Sequence, residues 1–148
     1  MLPSAAQQPP PPIATEILTG RAIFTDDVDL KIKTKLDGHA TRVIKAKDPS
    51  RTLVARFTVQ PGAQFPWHTH AGPVIVNVTR GKLVYVDADD CVERTYPAGT
   101  AFVDSGHGHV HTAFNRTGEE TDLVATFFEA PAEGSLLIPA AAPADCNP

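Results

Sequence analysis

Five of the six histidines fall in two short stretches, FPWHTHAGPVIVNV at residues 65–78 and GHGHVHTAFN at residues 106–115. His68 and His70 stand one residue apart, as do His109 and His111, and each pair abuts an apolar run. On a strand, residues i and i+2 point to the same face, so each pair reaches one point on one side of a sheet. Two such strands side by side converge three or four imidazoles on one centre. Neutral imidazole suits Zn, Cu, Fe or Ni. Two such pairs favour a divalent transition metal site over a surface histidine loop plus an unrelated hydrogen-bonded pair. The sixth, His39, follows Asp37 and Gly38 and reads as a solvated turn residue.

Such ligands need strands to hold them. Alternating runs rich in Val, Ile, Phe and Thr occur at 27–36, 52–59, 73–79, 82–87, 100–104, 109–115 and 122–129, with ten glycines and fourteen prolines as punctuation. No segment sustains a helical period. Short, evenly spaced strands with tight turns predict an all-β sandwich or barrel. Thr79-Arg80-Gly81-Lys82 reads as a hairpin turn between two strands, and Asp87 to Glu93 as an acidic loop. A chain of 148 residues supports one domain with a real core. The expected organisation is a flexible Pro-rich segment at 1–15, a β domain at 16–130 and an irregular tail at 131–148.

The net charge of −4 is too mild for the basic footprint of a nucleic-acid binder, and no apolar run reaches the length of a membrane span. Cys91, in the acidic loop, and Cys146, in the tail, lack any CxxC spacing. A disulfide between them would anchor the tail and place the protein in an oxidising compartment, periplasmic or secreted. Residues 1–16 carry no signal peptide as written, although such tethers often follow a removed export signal. Reduced cysteines would instead point to the cytoplasm.

The spacing Gly62-x5-His68-x-His70-x3-Val74-x6-Gly81 resembles the first motif of the cupin superfamily, G-x5-H-x-H-x3,4-E-x6-G. Gly106-x-Gly108-x2-His111-x3-Asn115 resembles the second motif, P-x-G-x2-H-x3-N, with Gly106 in place of proline, and Tyr96-Pro97-Ala98-Gly99 is similar to the turn that leads into it. The resemblance covers roughly residues 50–130 and implies a cupin-type double-stranded β-helix (jelly-roll) barrel, commonly a homodimer. It places His68, His70 and His111 at the three histidine-ligand positions. The glutamate position falls on Val74, or on Ile75 under the longer spacing, and neither can ligate. A neutral three-histidine site is therefore implied, similar to that of the thiol and diketone dioxygenases of the superfamily. His109 is a candidate fourth ligand, His107 a weaker one. Asn115 reads as a hydrogen-bonding structural residue.

Three neutral imidazoles leave a divalent ion its full charge and open positions, which suits an anionic chelating substrate. The candidate metals are Cu, Zn, Fe, Mn and Ni; an exported protein favours Zn, Cu or Mn, a reduced one Fe(II). Phe65 and Trp67 are candidate substrate contacts, and Arg56 would bind a substrate carboxylate if its side of the strand faced inward. Gln64 reads as a turn residue or a cavity residue. A general base would come from Glu129, His109 or His107. Three functions fit: an oxygenase acting on a small chelating molecule, a redox-neutral Lewis-acid isomerase or lyase of a small sugar or carboxylate, and a binding protein without catalysis. The missing glutamate weakens oxalate-type chemistry without excluding any of them.

Overall fold

Alternation along the strands decides which side chains meet. In Arg51–Val59, Leu53, Ala55, Phe57 and Val59 are buried while Arg56 between them is exposed, the period-2 pattern of a sheet with one covered face. The structure, a computed structural model, describes residues 9–46 and 51–146. It contains β1 (Ile13–Ile17), β2 (Ala22–Ile23), β3 (Leu30–Thr34), β4 (Arg42–Ala46), β5 (Arg51–Val59), β6 (His68–Thr69), β7 (Val74–Arg80), β8 (Lys82–Asp87), β9 (Glu93–Pro97), β10 (Ala101–Asp104), β11 (His111–Phe114), β12 (Thr121–Phe127) and β13 (Ile138–Pro139). Among the described residues there is no helix, and so none to cross a membrane.

One sheet runs β1-β5-β12-β7-β10, with β2 also paired to β5; the other runs β13-β6-β11-β8-β9; β3 and β4 form a separate hairpin. All pairings are antiparallel. The two large sheets are not hydrogen-bonded into a closed barrel but form the halves of a jelly roll. One core draws on both, with Phe57, Val59, Val76, Leu123 and Phe127 from the first and Leu83, Tyr85 and Ala113 from the second.

The turn expected at residues 79–82 is a corner between sheets and not a hairpin. β7 pairs with β12 and β10, whereas β8 pairs with β11 and β9. Gly81 makes the corner at φ 75°, where an added Cβ would lie 2.5 Å from Thr121 Oγ1. The run at 27–36 forms strand only over Leu30–Thr34. Its hairpin docks on the acidic loop through Arg42, 2.7 Å from the buried Asp87 carboxylate, and through His39, 3.1 Å from Asp90. His39 is thus a docking residue and not a solvated one.

β1 joins the sheet from Ile13, ahead of the expected start at residue 16. Residues 131–146 wrap back over the second sheet. Ile138 and Pro139 pair with Thr69 and His68, and the Ala140 amide donates to the Trp67 carbonyl. A disulfide joins Cys91 to Cys146, with the Cα atoms 5.2 Å apart, as expected from the sequence.

Candidate metal centre

Two pairings make the histidine cluster. β11 lies against β6 with His111 directly opposite His68, and His70 follows two residues after His68 on the same side. Their rings come together with centroids 4.2 Å apart for His68–His111, 4.8 Å for His68–His70 and 5.3 Å for His70–His111. One nitrogen from each lies within 4.8 Å of the others, and all three residues are buried. His68 Nδ1–H donates to the Pro66 carbonyl at 2.6 Å and His70 Nδ1–H to the Leu136 carbonyl at 2.8 Å. These bonds fix the two rings through Nδ1 and leave Nε2 of each as the atom turned to the centre, the backing that metal-bound histidines have. His111 Nδ1 is buried without a hydrogen-bond partner among the described residues. The donor set, three convergent and mostly dry imidazoles, fits a divalent transition metal.

A fourth group faces them. Asp104, at the end of β10 in the opposite sheet, is 1% exposed, with Oδ2 3.1 Å from His70 Nε2 and 3.0 Å from His111 Nε2. Its Oδ1 accepts the Gly106 amide at 3.0 Å, which fixes the carboxylate orientation. β10 pairs with β7 so that Asp104 lies directly opposite Val74. The carboxylate missing at Val74 is therefore matched by one on the adjacent strand. The sequence carried a signal for it: in the 100–104 run, Asp104 shares a face with Phe102, which points into the core.

Burial, and then repulsion from His111, lower the His68 pKa to about 3, so its ring is neutral. Burial also opposes protonation of His70, but the hydrogen bond to Asp104 and its charge outweigh burial and raise the pKa. In His111 burial wins over the attraction of Asp104, and the pKa falls. Burial alone would raise the Asp104 pKa; the facing imidazoles of His111 and His70 hold it down at about 2.

The cluster opens on a cavity of about 50 Å³ between the sheets, walled by Phe57, Phe65, Val76, Phe102, Phe127 and Leu137 among others, with no Lys or Arg in its lining among the described residues. Tyr85 stacks on His111 with ring centroids 5.1 Å apart and also faces this space. Phe65, a candidate substrate contact, lines the cavity, its ring centroid 6.1 Å from that of His68. Trp67 does not: it packs with Val84, Val86 and Phe114, outside the cavity lining. Arg56 also points away, paired at 3.0 Å with the exposed Glu16. Gln64 is exposed and donates to Thr112 Oγ1.

His109 is not brought to the cluster. The expected strand at 109–115 begins only at His111, because Gly106, His107 and Gly108 all adopt positive φ and turn the chain. The i, i+2 relation therefore fails for His109, whose half-exposed ring lies 3.6 Å from Asp89. His107 pairs with Glu129 at 2.5 Å, and neither lines the cavity. Asn115 is structural as expected, its buried amide donating to the Val59 and Glu119 carbonyls.

The sequence matches no protein-family model and no curated protein. Solved structures do match. The polyketide cyclase RemF from Streptomyces resistomycificus is 20% identical with a TM-score of 0.51, and the match covers 61% of each chain. An oxalate oxidase is 26% identical with a TM-score of 0.50, matching 60% of this chain and 45% of its own. The cupin-2 domain of an XRE family transcriptional regulator from Enterobacter cloacae is 13% identical with a TM-score of 0.54, over 82% of this chain and 99% of that domain. The chain thus spans about three fifths of the cyclase and less than half of the oxidase. With its two-sheet jelly roll, its ordered motifs and the histidines they bring together, this chain is a protein of the cupin fold.

Proposed function

We propose that the chain binds a divalent transition metal on His68, His70 and His111 and acts as an oxygenase on a small chelating organic molecule. The observation that carries this reading is the setting of the cluster: three buried imidazoles opening on a largely apolar cavity with no Lys or Arg in its wall among the described residues. An anionic oxygen entering that space finds no Lys or Arg partner among the described residues, so a bound ion would be its strong electrostatic anchor. At roughly 10–15 Å³ per water position, the cavity of about 50 Å³ holds on the order of four small groups, which favours a small substrate. The likeness to oxalate oxidase, named for a diacid of that size, supports a small chelator.

A bound ion supplies Lewis-acid polarisation of a ligated oxygen and, where redox-active, an electron relay to dioxygen. The chain supplies the rest. Pro66 and Leu136 carbonyls hold His68 and His70 in register, and Phe65, Phe127 and Leu137 keep bulk water from the reacting atoms. The disulfide supports folding in an oxidising compartment, and we place the protein outside the cytoplasm on that ground. The homodimer that the family resemblance implies is tested by light scattering.

The deciding experiment is metal analysis of the purified chain followed by oxygen uptake with small diacids, diketones and thiols. Copper, iron or manganese with substrate-dependent uptake supports the oxygenase. Zinc without uptake turns the assignment to redox-neutral Lewis-acid chemistry or to binding alone. Unchanged metal content in both His68→Ala and His111→Ala would overturn the site.

A further inference from the structure

We infer that Asp104 is the fourth protein ligand of this centre, a carboxylate moved from the glutamate position at Val74 to the paired position on the neighbouring strand. The inference rests on the three-histidine reading above and deepens it.

The register carries it first. Asp104 and Val74 are direct partners across β10 and β7, and both line the cavity. Directly opposed residues on antiparallel strands share a face with Cβ atoms about 5 Å apart. A carboxylate leaving one of these positions for the other therefore keeps its access to the same space. Asp is one methylene shorter than Glu. That suits a strand whose end is drawn in by the loop at residues 105–108, where the His107 amide donates to the His70 carbonyl at 2.9 Å.

The distances carry it second. Two ligand atoms each about 2.1 Å from one ion in tetrahedral geometry lie about 3.4 Å apart. Asp104 Oδ2 lies 3.1 and 3.0 Å from the Nε2 atoms of His70 and His111. Oδ2 is therefore within about half an ångström of the spacing that an ion shared with these two imidazoles would impose. The rest of the carboxylate is already committed, since Oδ1 is held by the Gly106 amide and only Oδ2 faces the cluster.

The surroundings carry it third. A carboxylate this deeply buried needs a compensating charge, and among the described residues no Lys or Arg lines the cavity. Apart from the Gly106 amide, the polar partners of Asp104 are the imidazoles of His70 and His111. With Asp104 bound, a divalent centre carries a net charge of one, not two. The relocation restores the three-histidine-one-carboxylate composition that the sequence motif alone denies.

Zn(II) titration and the visible spectrum of the Co(II)-loaded chain test this. Asp104→Asn keeps an acceptor for the Gly106 amide, and it is expected to weaken Zn(II) binding by at least about tenfold and to change the Co(II) spectrum. Val74→Glu placed in the Asp104→Asn background is expected to recover affinity, because the new carboxylate enters from the paired position. A residue that only positioned the imidazoles would give an unchanged Co(II) spectrum and no rescue, and that result overturns the inference. If Asp104→Asn fails to fold, a crystal structure of the Zn(II)-loaded wild-type chain decides. Oδ2 within about 2.2 Å of the ion supports ligation, and a separation beyond about 3 Å overturns it. His68→Ala and His111→Ala separate the two levels. If they abolish Zn(II) binding while Asp104→Asn binds like wild type, only the aspartate assignment falls. If they bind Zn(II) like wild type, the histidine reading falls and takes the aspartate assignment with it.

Discussion

Opening the Cys91–Cys146 disulfide is expected to damage stability and the centre together, by amounts that can be worked from the structure. The bond closes a loop with a sequence separation of 55. In the loop-entropy treatment, releasing a loop of that length returns about 4 kcal/mol to the unfolded chain. At about 2.1 cal/mol/K per residue, a chain of 148 residues has an unfolding entropy near 0.3 kcal/mol/K, so the midpoint should fall by about 13 °C. A second effect follows from what the tail touches. Leu137 walls the cavity, and the Leu136 carbonyl is the acceptor for His70 Nδ1–H. Fraying of residues 131–146 takes away the backing of one imidazole, a loss worth roughly 10- to 100-fold in metal affinity. The assays are scanning calorimetry with and without a phosphine reductant, and Zn(II) titration of Cys91→Ala/Cys146→Ala beside the wild type. A midpoint and an affinity both unchanged on reduction would refute the reasoning, since the tail would then be held wholly by its own contacts.

Other outcomes are equally specific. Gly106→Ala should cost about 3 kcal/mol or more in thermal unfolding, because at φ 59° its Cβ would lie 2.0 Å from the Gly72 carbonyl oxygen; a native midpoint would contradict the close approach of these loops. The metal-free chain should lose stability as the pH falls from 6.5 toward 3. Folded His68 stays neutral down to about pH 3 while the unfolded chain takes up the proton near its ordinary value of 6.5, a contribution of up to about 1.4 kcal/mol per pH unit. Denaturant unfolding at pH 7 and pH 5 should show that slope reduced in His68→Gln, and equal slopes would refute it. Arg56→Ala should leave metal and substrate binding untouched and cost under about 1 kcal/mol, as an exposed ion pair with Glu16 does. Trp67→Ala should lower the melting point without changing Zn(II) affinity, because the ring packs on Val84, Val86 and Phe114 and not on the cavity.

The long alternating runs and the His68–His70 pair were legible in the chain because both express period 2, which local sequence displays directly, whereas His111 was singled out by the resemblance of its motif. The same rule misplaced His109, since three consecutive positive-φ residues end the strand geometry on which it depends. Arg56 was legible as a member of its strand, and Trp67 as a residue beside one, but neither as to direction. An alternating strand does not say which of its faces meets the opposing sheet, and the buried set Leu53, Ala55, Phe57 and Val59 turns Arg56 outward. The short strands β6 and β13 carry too few residues to show a period, yet they set His68 against His111 and the tail against the cluster. Asp104 escaped because motif reading asks which residue stands at a given spacing along the chain. The relevant neighbour of Val74 is across the sheet, 30 positions later; alternation could place Asp104 on the inward face with Phe102, but its pairing with Val74 shows only in the register.

The roof of the cavity also sets an order of events in biosynthesis. Residues 131–146 leave the ribosome after β5 to β12 and after all three clustered histidines. The jelly roll can therefore assemble with its centre open to solutes, and an ion of any size class has direct access at that stage. Once Leu137 is seated and Cys146 is joined to Cys91, one wall of the cavity is a covalently tethered segment. That wall is the last part of the cavity to be synthesised, and an oxidised pair of cysteines ties it down.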